Sequence, residues 1–240
     1  MRHKNYNNII KEISEEAKEK MLNSWVLGDL KFLTKEQLMF FFIQFNYFVN
    51  KFPQYIGAMI YNSDSPLVRN ILAKNLIDEL GGDDNIQKNN ASEAHCVLYK
   101  KFLISFGVNE EIINKSNPLP CTIKFINTCN EIYLNSHILK ALSAFGLGNE
   151  GIPKWHRIYS YLKSFGNYNE NDLKFFSVHI DVDSCHSDDI IKAILLFIEN
   201  ENDLAIVKEG AMEMIDARYN FYNDLYKEMI KIDNESVLEF

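Results

Sequence analysis

Turn-forming residues are scarce in this sequence. It has only 10 glycines and 5 prolines in 240 residues, whereas a protein made of many short β-strands needs turn residues at most strand ends. We also find no pair of alternating apolar and polar runs joined by a tight hairpin sequence. The scarcity of turn residues therefore favours helices over an all-β architecture.

Cysteine motifs and apolar runs of membrane length are absent as well. The 4 cysteines form no CxxC pair and no zinc-ligand spacing, which indicates reduced, buried thiols. The longest apolar stretch, residues 38–48, is interrupted by Gln44 and Asn46 and is much shorter than the roughly 20 residues of a membrane span. Residues 1–16 are polar and contain no apolar signal core. We therefore expect a cytoplasmic protein.

The composition and charge are those of a folded, acidic protein. Hydrophobic residues make up 47% of the chain and charged residues 24%, so a sizeable core can form and disorder is excluded. The formal net charge of -8 repels phosphate backbones and anionic lipids, which argues against nucleic acid and membrane surfaces as partners. We expect one domain over residues 1–240, with residues 1–20 as a peripheral N-terminal helix.

Helical periodicity dominates the chain. Thr34 and Gln37 have the spacing of a capping box before an apolar helix that Pro53 kinks or restarts. Ser65 and Pro66 open the next helix, which stops at a pair of glycines, Gly81 and Gly82. Further helices are predicted over residues 7–21, 92–107 with Ser92 as its cap, 120–145, 154–165, 171–186, from 187 onward, and 203–230. These elements predict an all-α bundle of seven to nine helices.

A late helical segment carries a metal-ligand pattern. His179, Asp183 and His186 are spaced by four and by three residues, so a helix places them on one face. Two imidazoles and one carboxylate suit ferrous iron or manganese and leave coordination positions open. The alternative is a solvated charged face with two incidental histidines. Asp181 points elsewhere on the helix, and we assign it no metal role.

Three other residues are weaker candidates when each is taken alone. Glu79 directly precedes the glycine pair, and His95 follows 16 residues later, about 24 Å away if one helix continued. Because the glycines let the chain turn, His95 can return toward Glu79. Glu150 lies in the broken segment GLGNEGIP, and such breaks often occur at functional sites. The alternatives are a surface glutamate, a packed histidine and an ordinary loop glutamate.

Taken together, these motifs resemble a known family. Residues 25–226 are similar to the haem-oxygenase-like non-haem di-iron oxidases, which are iron-containing redox enzymes. The similarity rests on four motifs in the same order as in the family, namely LTKEQLMFFFIQFNYFVNKFP, NLIDELGGDD followed by HCVLYKKFLISFG, ALSAFGLGNEGIP, and FFSVHIDVDSCH.

The resemblance implies a haem-oxygenase-like bundle with a di-iron site. It makes Glu79 and His95 ligands of one iron, makes His179, Asp183 and His186 ligands of the other, and makes Glu150 a bridge. The implied cofactors are two ferrous ions, with manganese as the alternative, and the co-substrate is dioxygen. The implied reaction on a small organic substrate is oxidative C–C cleavage, N-oxygenation or hydrogen abstraction. The electron donor stays open, and a homodimer is compatible with the family.

Two other functions share this fold. The family is related in fold to pyrroloquinoline-quinone synthase, a metal-free oxidase, and to thiaminase II, whose cysteine site has no counterpart here. A non-catalytic helical protein that binds a partner is the second alternative. On the last helix, Tyr219, Phe221 and Tyr222 either line a substrate cavity or pack in the core.

Overall fold

The fold is built of helices. A computed structural model describes residues 2–24, 30–82, 90–150 and 154–232, and their side chains except those of residues 2–5, 149–150 and 181–187. The described part contains ten α-helices and no strand, as the sequence predicted for the fold class. The helices are α1 Arg2–Leu22, α2 Lys35–Asn62, α3 Pro66–Glu79, α4 His95–Phe106, α5 Glu110–Lys115, α6 Pro120–Asn130, α7 Ile138–Phe145, α8 Lys154–Phe165, α9 Lys174–Phe197 and α10 Glu201–Met229. None of the helices searched within these described residues is both long enough and apolar enough to cross a bilayer.

Several helix ends lie where the sequence placed them. Thr34 accepts a hydrogen bond from the Gln37 backbone N–H, and the Gln37 side chain accepts one from the Thr34 N–H, which completes the predicted capping box. Ser65 caps α3, whose first residue is Pro66. Gly107 ends α4 with a φ of 105°, a left-handed conformation that suits glycine. These boundaries were predictable because each depends on a few neighbouring residues.

The predicted helix over residues 120–145 is in fact interrupted. It consists of α6, a π-helical turn over Glu131–Asn135, and α7. Ser136 adopts an extended conformation, and the His137 ring accepts a hydrogen bond from the Leu139 N–H, which starts α7 afresh. A histidine cap is not among the common N-cap signals, and the sequence pattern therefore missed this break.

Three other boundaries also differ from the prediction. Asn90, not Ser92, provides the cap, and it caps a short 3₁₀ turn before α4. Helix α2 runs through Pro53 with the buried residues Phe52 and Tyr55 on both sides of the proline. This continuity excludes the predicted restart and leaves the alternative, a kink, as a prediction. Helix α9 continues through position 187, where a new helix was expected. With the short α5 added, the described helices exceed the predicted seven to nine.

Aromatic side chains of α2 form the centre of the core. Phe42 packs edge-on against Phe102 of α4 and Phe176 of α9, and Phe48 packs against Phe125 of α6. Edge-to-face and tilted ring pairs add to the stabilisation from apolar burial. Helix α2 therefore packs against α4 and α9, two of the helices that carry the candidate ligands.

Gln44, which interrupts the apolar stretch of α2, is a buried junction. Its side-chain oxygen accepts hydrogen bonds from the Leu119 N–H at 3.0 Å and from the Thr122 hydroxyl at 2.6 Å. Its amide nitrogen donates to the Asn117 carbonyl at 3.1 Å. The polar residue thus provides hydrogen-bond partners for backbone groups just before α6, where the helix itself supplies none for the first N–H groups.

Helices α7 and α10 approach closely at Gly210. A Cβ atom at this position would lie 2.3 Å from the Lys140 carbonyl oxygen and 2.3 Å from the Ser143 Oγ. A real Cβ does not come this near to another heavy atom, so the two helix backbones pack at a distance that only glycine permits.

We expect Gly210→Ala to lower the free energy of unfolding by about 1–3 kcal/mol, because the added methyl group forces α7 and α10 apart. Gly57→Ala is the matched control. Gly57 lies inside α2, and nothing lies within 4 Å of a Cβ built there, so alanine should be neutral or stabilise by up to about 1 kcal/mol. Urea denaturation of both variants measures the difference, and equal effects would contradict the close approach.

Candidate metal site

Three helices bring together three of the candidate ligands. Glu79 is the last residue of α3, His95 is the first residue of α4, and His179 lies in the second turn of α9. One ligand atom from each residue lies within 4.8 Å of the other two. Each residue is only 8% exposed to solvent. A buried carboxylate with two imidazoles is a donor set that a divalent cation would satisfy.

Gly81 makes the turn that returns His95 to Glu79. Its φ is 74°, and its carbonyl accepts a hydrogen bond from the Asn90 N–H at 3.1 Å. A Cβ at this position would lie 2.5 Å from the backbone of both Asn90 and Ala94. The segment before α4 therefore packs directly on the glycine. The sequence predicted a turn at the glycine pair. That turn requires a glycine at position 81, because its φ is positive and because a Cβ would not fit there.

The spacing of Glu79 and His95 suits two ligands of one ion. Their Oε1 and Nδ1 atoms are 3.0 Å apart. Two ligand atoms that each lie about 2.1 Å from a metal, at a right angle, are about 3.0 Å apart. The arrangement therefore needs little movement to accept a cation between the two side chains.

His179 is held in one tautomer. Its Nδ1 lies 2.6 Å from the carbonyl oxygen of Phe175, one turn earlier in α9. Because a carbonyl only accepts hydrogen bonds, Nδ1 carries the proton and Nε2 keeps a lone pair for a metal. A ring N–H bonded to a backbone carbonyl is a common way to orient a metal-bound histidine.

Aromatic rings surround the two histidines. The His179 ring centroid lies 4.4 Å from that of His95, 4.4 Å from that of Phe175 and 5.0 Å from that of Trp155. Lys154, at the start of α8, is almost fully buried, and its Nζ lies 4.6 Å from the centroid of the Trp155 ring. The rings fix the imidazole planes and limit the access of water to them.

An ion pair connects the elements that carry the two histidines. Lys174, the first residue of α9, donates a hydrogen bond to Glu93, two residues before His95. This hydrogen bond lowers the pKa of the Glu93 carboxyl, against a smaller opposing effect of desolvation. Both side chains are partly exposed, so the pair contributes modestly to stability. It nevertheless fixes the start of α4 relative to the start of α9.

The other three predicted ligands lie outside the described side chains. These are Glu150, Asp183 and His186. The resemblance divided the ligands so that His179 belonged with Asp183 and His186. In the structure, one ligand atom of His179 also lies within 4.8 Å of ligand atoms of Glu79 and His95, and the division of the six ligands between two ions stays a prediction. The spacing of residues within α9 could not predict this proximity, because a helix of several turns is long enough to carry ligands of two different ions.

The supporting residues of the site were missed at the sequence level. Trp155 follows the broken segment and could have been noted as a large ring next to it. The Phe175 carbonyl left no sequence signal, since a backbone acceptor is independent of residue type. On α10, Phe221 stacks on Phe125 and Tyr222 packs against Phe41, so these two residues belong to the core.

We expect His95→Ala and His179→Ala to weaken the binding of cobalt(II) at least about tenfold, because each removes a nitrogen ligand. His156→Ala is the matched control, since His156 is exposed on α8. Cobalt(II) titration, followed through the ligand-field absorption of the ion, measures the affinity. Equal affinities for the His179 and His156 variants would exclude His179 as a ligand.

A second group of buried polar side chains involves α10 and α6. Arg218 of α10 is fully buried, with its guanidinium 5.0 Å from the centroid of Phe48 and 5.6 Å from that of Phe125. Burial raises the pKa of the Cys129 thiol to about 12, against the opposing charge of Arg218. Burial also raises the pKa of Tyr55, and the adjacent Cys129 adds to that shift.

We expect the protein to lose stability above about pH 9, because the unfolded Cys129 thiol then releases a proton that the folded thiol keeps. This group contributes up to about 1.4 kcal/mol per pH unit until the pH nears its folded pKa. Cys129→Val should reduce the slope of unfolding free energy against pH between 9 and 10. Val207→Ala, a core truncation without a titratable group, should lower stability at every pH and keep the slope. Equal slopes for the wild type and Cys129→Val would contradict the raised pKa.

Comparison of the sequence with known proteins connects the site to iron. The profile of a family described as iron-containing redox enzymes matches residues 39–219, a range that includes Glu79, His95 and His179. The chain is 26% identical to the 4-aminobenzoate synthase of Nitrosomonas europaea, over 85% of this chain and 82% of that protein. It is also 26% identical to the 4-chloro-allylglycine synthase of Streptantibioticus cattleyicolor, over 76% of this chain and 68% of that one.

Solved structures share the fold. A domain of unknown function with a haem oxygenase-like fold from Shewanella denitrificans superposes with a TM-score of 0.77 at 14% identity, over 98% of this chain and 97% of that one. A CADD-like protein of unknown function from Nostoc punctiforme gives a TM-score of 0.77 at 18% identity, over 94% of this chain and 99% of that one. The bundle therefore has the haem-oxygenase-like architecture that the resemblance implied.

Proposed function

Because the chain belongs to the family of iron-containing redox enzymes, we propose that it is a non-haem di-iron oxidase that uses dioxygen to oxidise a small organic substrate. The observation that carries the proposal is the buried group of Glu79, His95 and His179, whose ligand atoms lie within 4.8 Å of one another. This group favours a metal enzyme over the metal-free oxidase and over the partner-binding protein.

We assign Glu79, His95 and His179 to the first iron. Asp183 and His186 follow His179 by four and seven residues on α9, about 6 Å and 10 Å along the helix axis. With Glu150 as a bridge, they are the proposed ligands of the second iron. Manganese is the alternative metal, since the same oxygen and nitrogen donors suit it.

The iron pair would supply the electron transfer to dioxygen that amino-acid side chains cannot perform. The protein residues have other roles. The Phe175 carbonyl holds the proton of His179 on Nδ1, so that Nε2 would be free to bind the ion. Trp155 and Phe175 exclude water from the ligand atoms, which strengthens the electrostatic interaction between Glu79 and a bound cation.

The relatives leave the substrate open. One is named for forming 4-aminobenzoate, an aromatic acid, and the other for forming 4-chloro-allylglycine, an amino acid. Both names give products, and the chain is 26% identical to each relative, so we assign neither product to it. We propose only the class of small organic molecules. The cytoplasmic location and the homodimer remain predictions from the sequence. The electron donor remains open.

Anaerobic titration with ferrous iron tests the proposal. We expect the wild type to bind about two ions per chain and to consume dioxygen faster than the metal-free protein. Glu79→Ala and His186→Ala should each weaken iron binding at least about tenfold, because a ligand substitution costs at least as much as the loss of an outer-shell partner. The control Glu131→Ala removes a glutamate that is exposed on the π-helical turn.

The proposal fails if the Glu79 and His186 variants bind as much ferrous iron as the wild type. It also fails if the loaded wild type consumes dioxygen no faster than free ferrous iron at the same concentration.

A further inference from the structure

A small apolar cavity lies next to the candidate ligands. It has a volume of about 20 Å³ and lies between α2, the end of α3, and the first turns of α8 and α9. All of its described lining residues are buried. They are Phe45, Phe48, Val49, Phe52, Glu79, Trp155, Phe175 and His179.

Among the described residues, the polar groups of the cavity lie only where it meets the candidate ligands. Of the described lining residues, six are apolar, and the two polar ones are Glu79 and His179. A buried water needs two to four polar partners to be held in place, whereas apolar cavities stay dry and bind apolar guests. The lining therefore favours a small uncharged guest over water.

The size of the cavity restricts the guest further. One water needs about 10–15 Å³, so the 20 Å³ that the described residues surround has room for a diatomic molecule and not for an aromatic ring or an amino acid. The rings around it brace one another, with Phe45 and Phe48 at 5.6 Å, Phe48 and Phe52 at 5.4 Å, and Trp155 and Phe175 at 5.4 Å between centroids. Such packed rings resist expansion of the cavity.

We propose that this cavity is the chamber in which dioxygen binds beside the metal. The inference rests on the proposed function and adds the position of the co-substrate. Dioxygen is apolar, uncharged and diatomic, and from this chamber it faces Glu79 and His179 directly. The organic substrate then has to approach the metal from another side, so the two reactants occupy separate spaces.

Val49 is the residue that tests the chamber. It is the one aliphatic side chain among the described lining residues, and the other apolar lining residues are aromatic. Val49→Leu adds a methylene group and should fill the cavity. Val207→Leu is the matched control, because Val207 is equally a buried valine but lies on α10, outside the lining.

Crystals of the full chain, both metal-free and anaerobically loaded with ferrous iron, are pressurised with krypton, an apolar probe that scatters anomalously. We expect a krypton peak between Val49, Phe175 and His179 in the wild type and in Val207→Leu, and no peak in Val49→Leu. We also expect Val49→Leu to slow the oxidation of bound ferrous iron by dioxygen at least about tenfold, with unchanged iron content, and Val207→Leu to leave the rate unchanged.

The absence of krypton from the wild-type cavity overturns the proposal. So does an unchanged oxidation rate in a Val49→Leu protein that has lost the krypton peak. The krypton peak is also measured in metal-free crystals. A failure of the proposed dioxygen chamber can therefore be told apart from a failure of the protein to bind iron. If Val49→Leu does not fold, Val49→Ile replaces it, with the same two expected results.

Discussion

The Glu79 carboxylate and the His95 imidazole lie 3.0 Å apart in a part of the protein that excludes most water. A buried carboxylate is costly unless positive charge or hydrogen bonds compensate it, so this pair determines what the surrounding helices must supply. The turn at Gly81 brings α4 back onto the end of α3, and His179 of α9 completes the group. The aromatic core around α2 holds these three helix segments in position.

The fold class was accessible from the sequence, because helix signals are local. The capping box of Thr34 and the cap at Ser65 each depend on residues within three positions of each other, and the scarcity of glycine and proline removed the β alternatives. Breaks that rely on uncommon caps were not accessible. The His137 ring caps α7 in a way that the residue type does not predict, and position 187, where the sequence predicted a new helix, lies inside the continuous helix α9.

The candidate site was predicted in part for a related reason. The four-motif resemblance selected Glu79 and His95 although each was weak alone, and the glycine pair gave a physical reason for them to meet. The grouping of His179 with this pair needed three-dimensional information, since no spacing within α9 reports on α3 or α4. Fully buried cations such as Arg218 were missed, because burial of an arginine over the Phe48 and Phe125 rings has no periodic signature.

The acceptor that orients His179 is a main-chain oxygen of its own helix. No exchange of the residue at position 175 removes that oxygen, so the tautomer of the histidine does not change when neighbouring side chains vary. Sequence variation can therefore reshape the aromatic wall around the imidazole, and with it the space open to reactants, while the direction of the nitrogen lone pair is inherited from the helix itself.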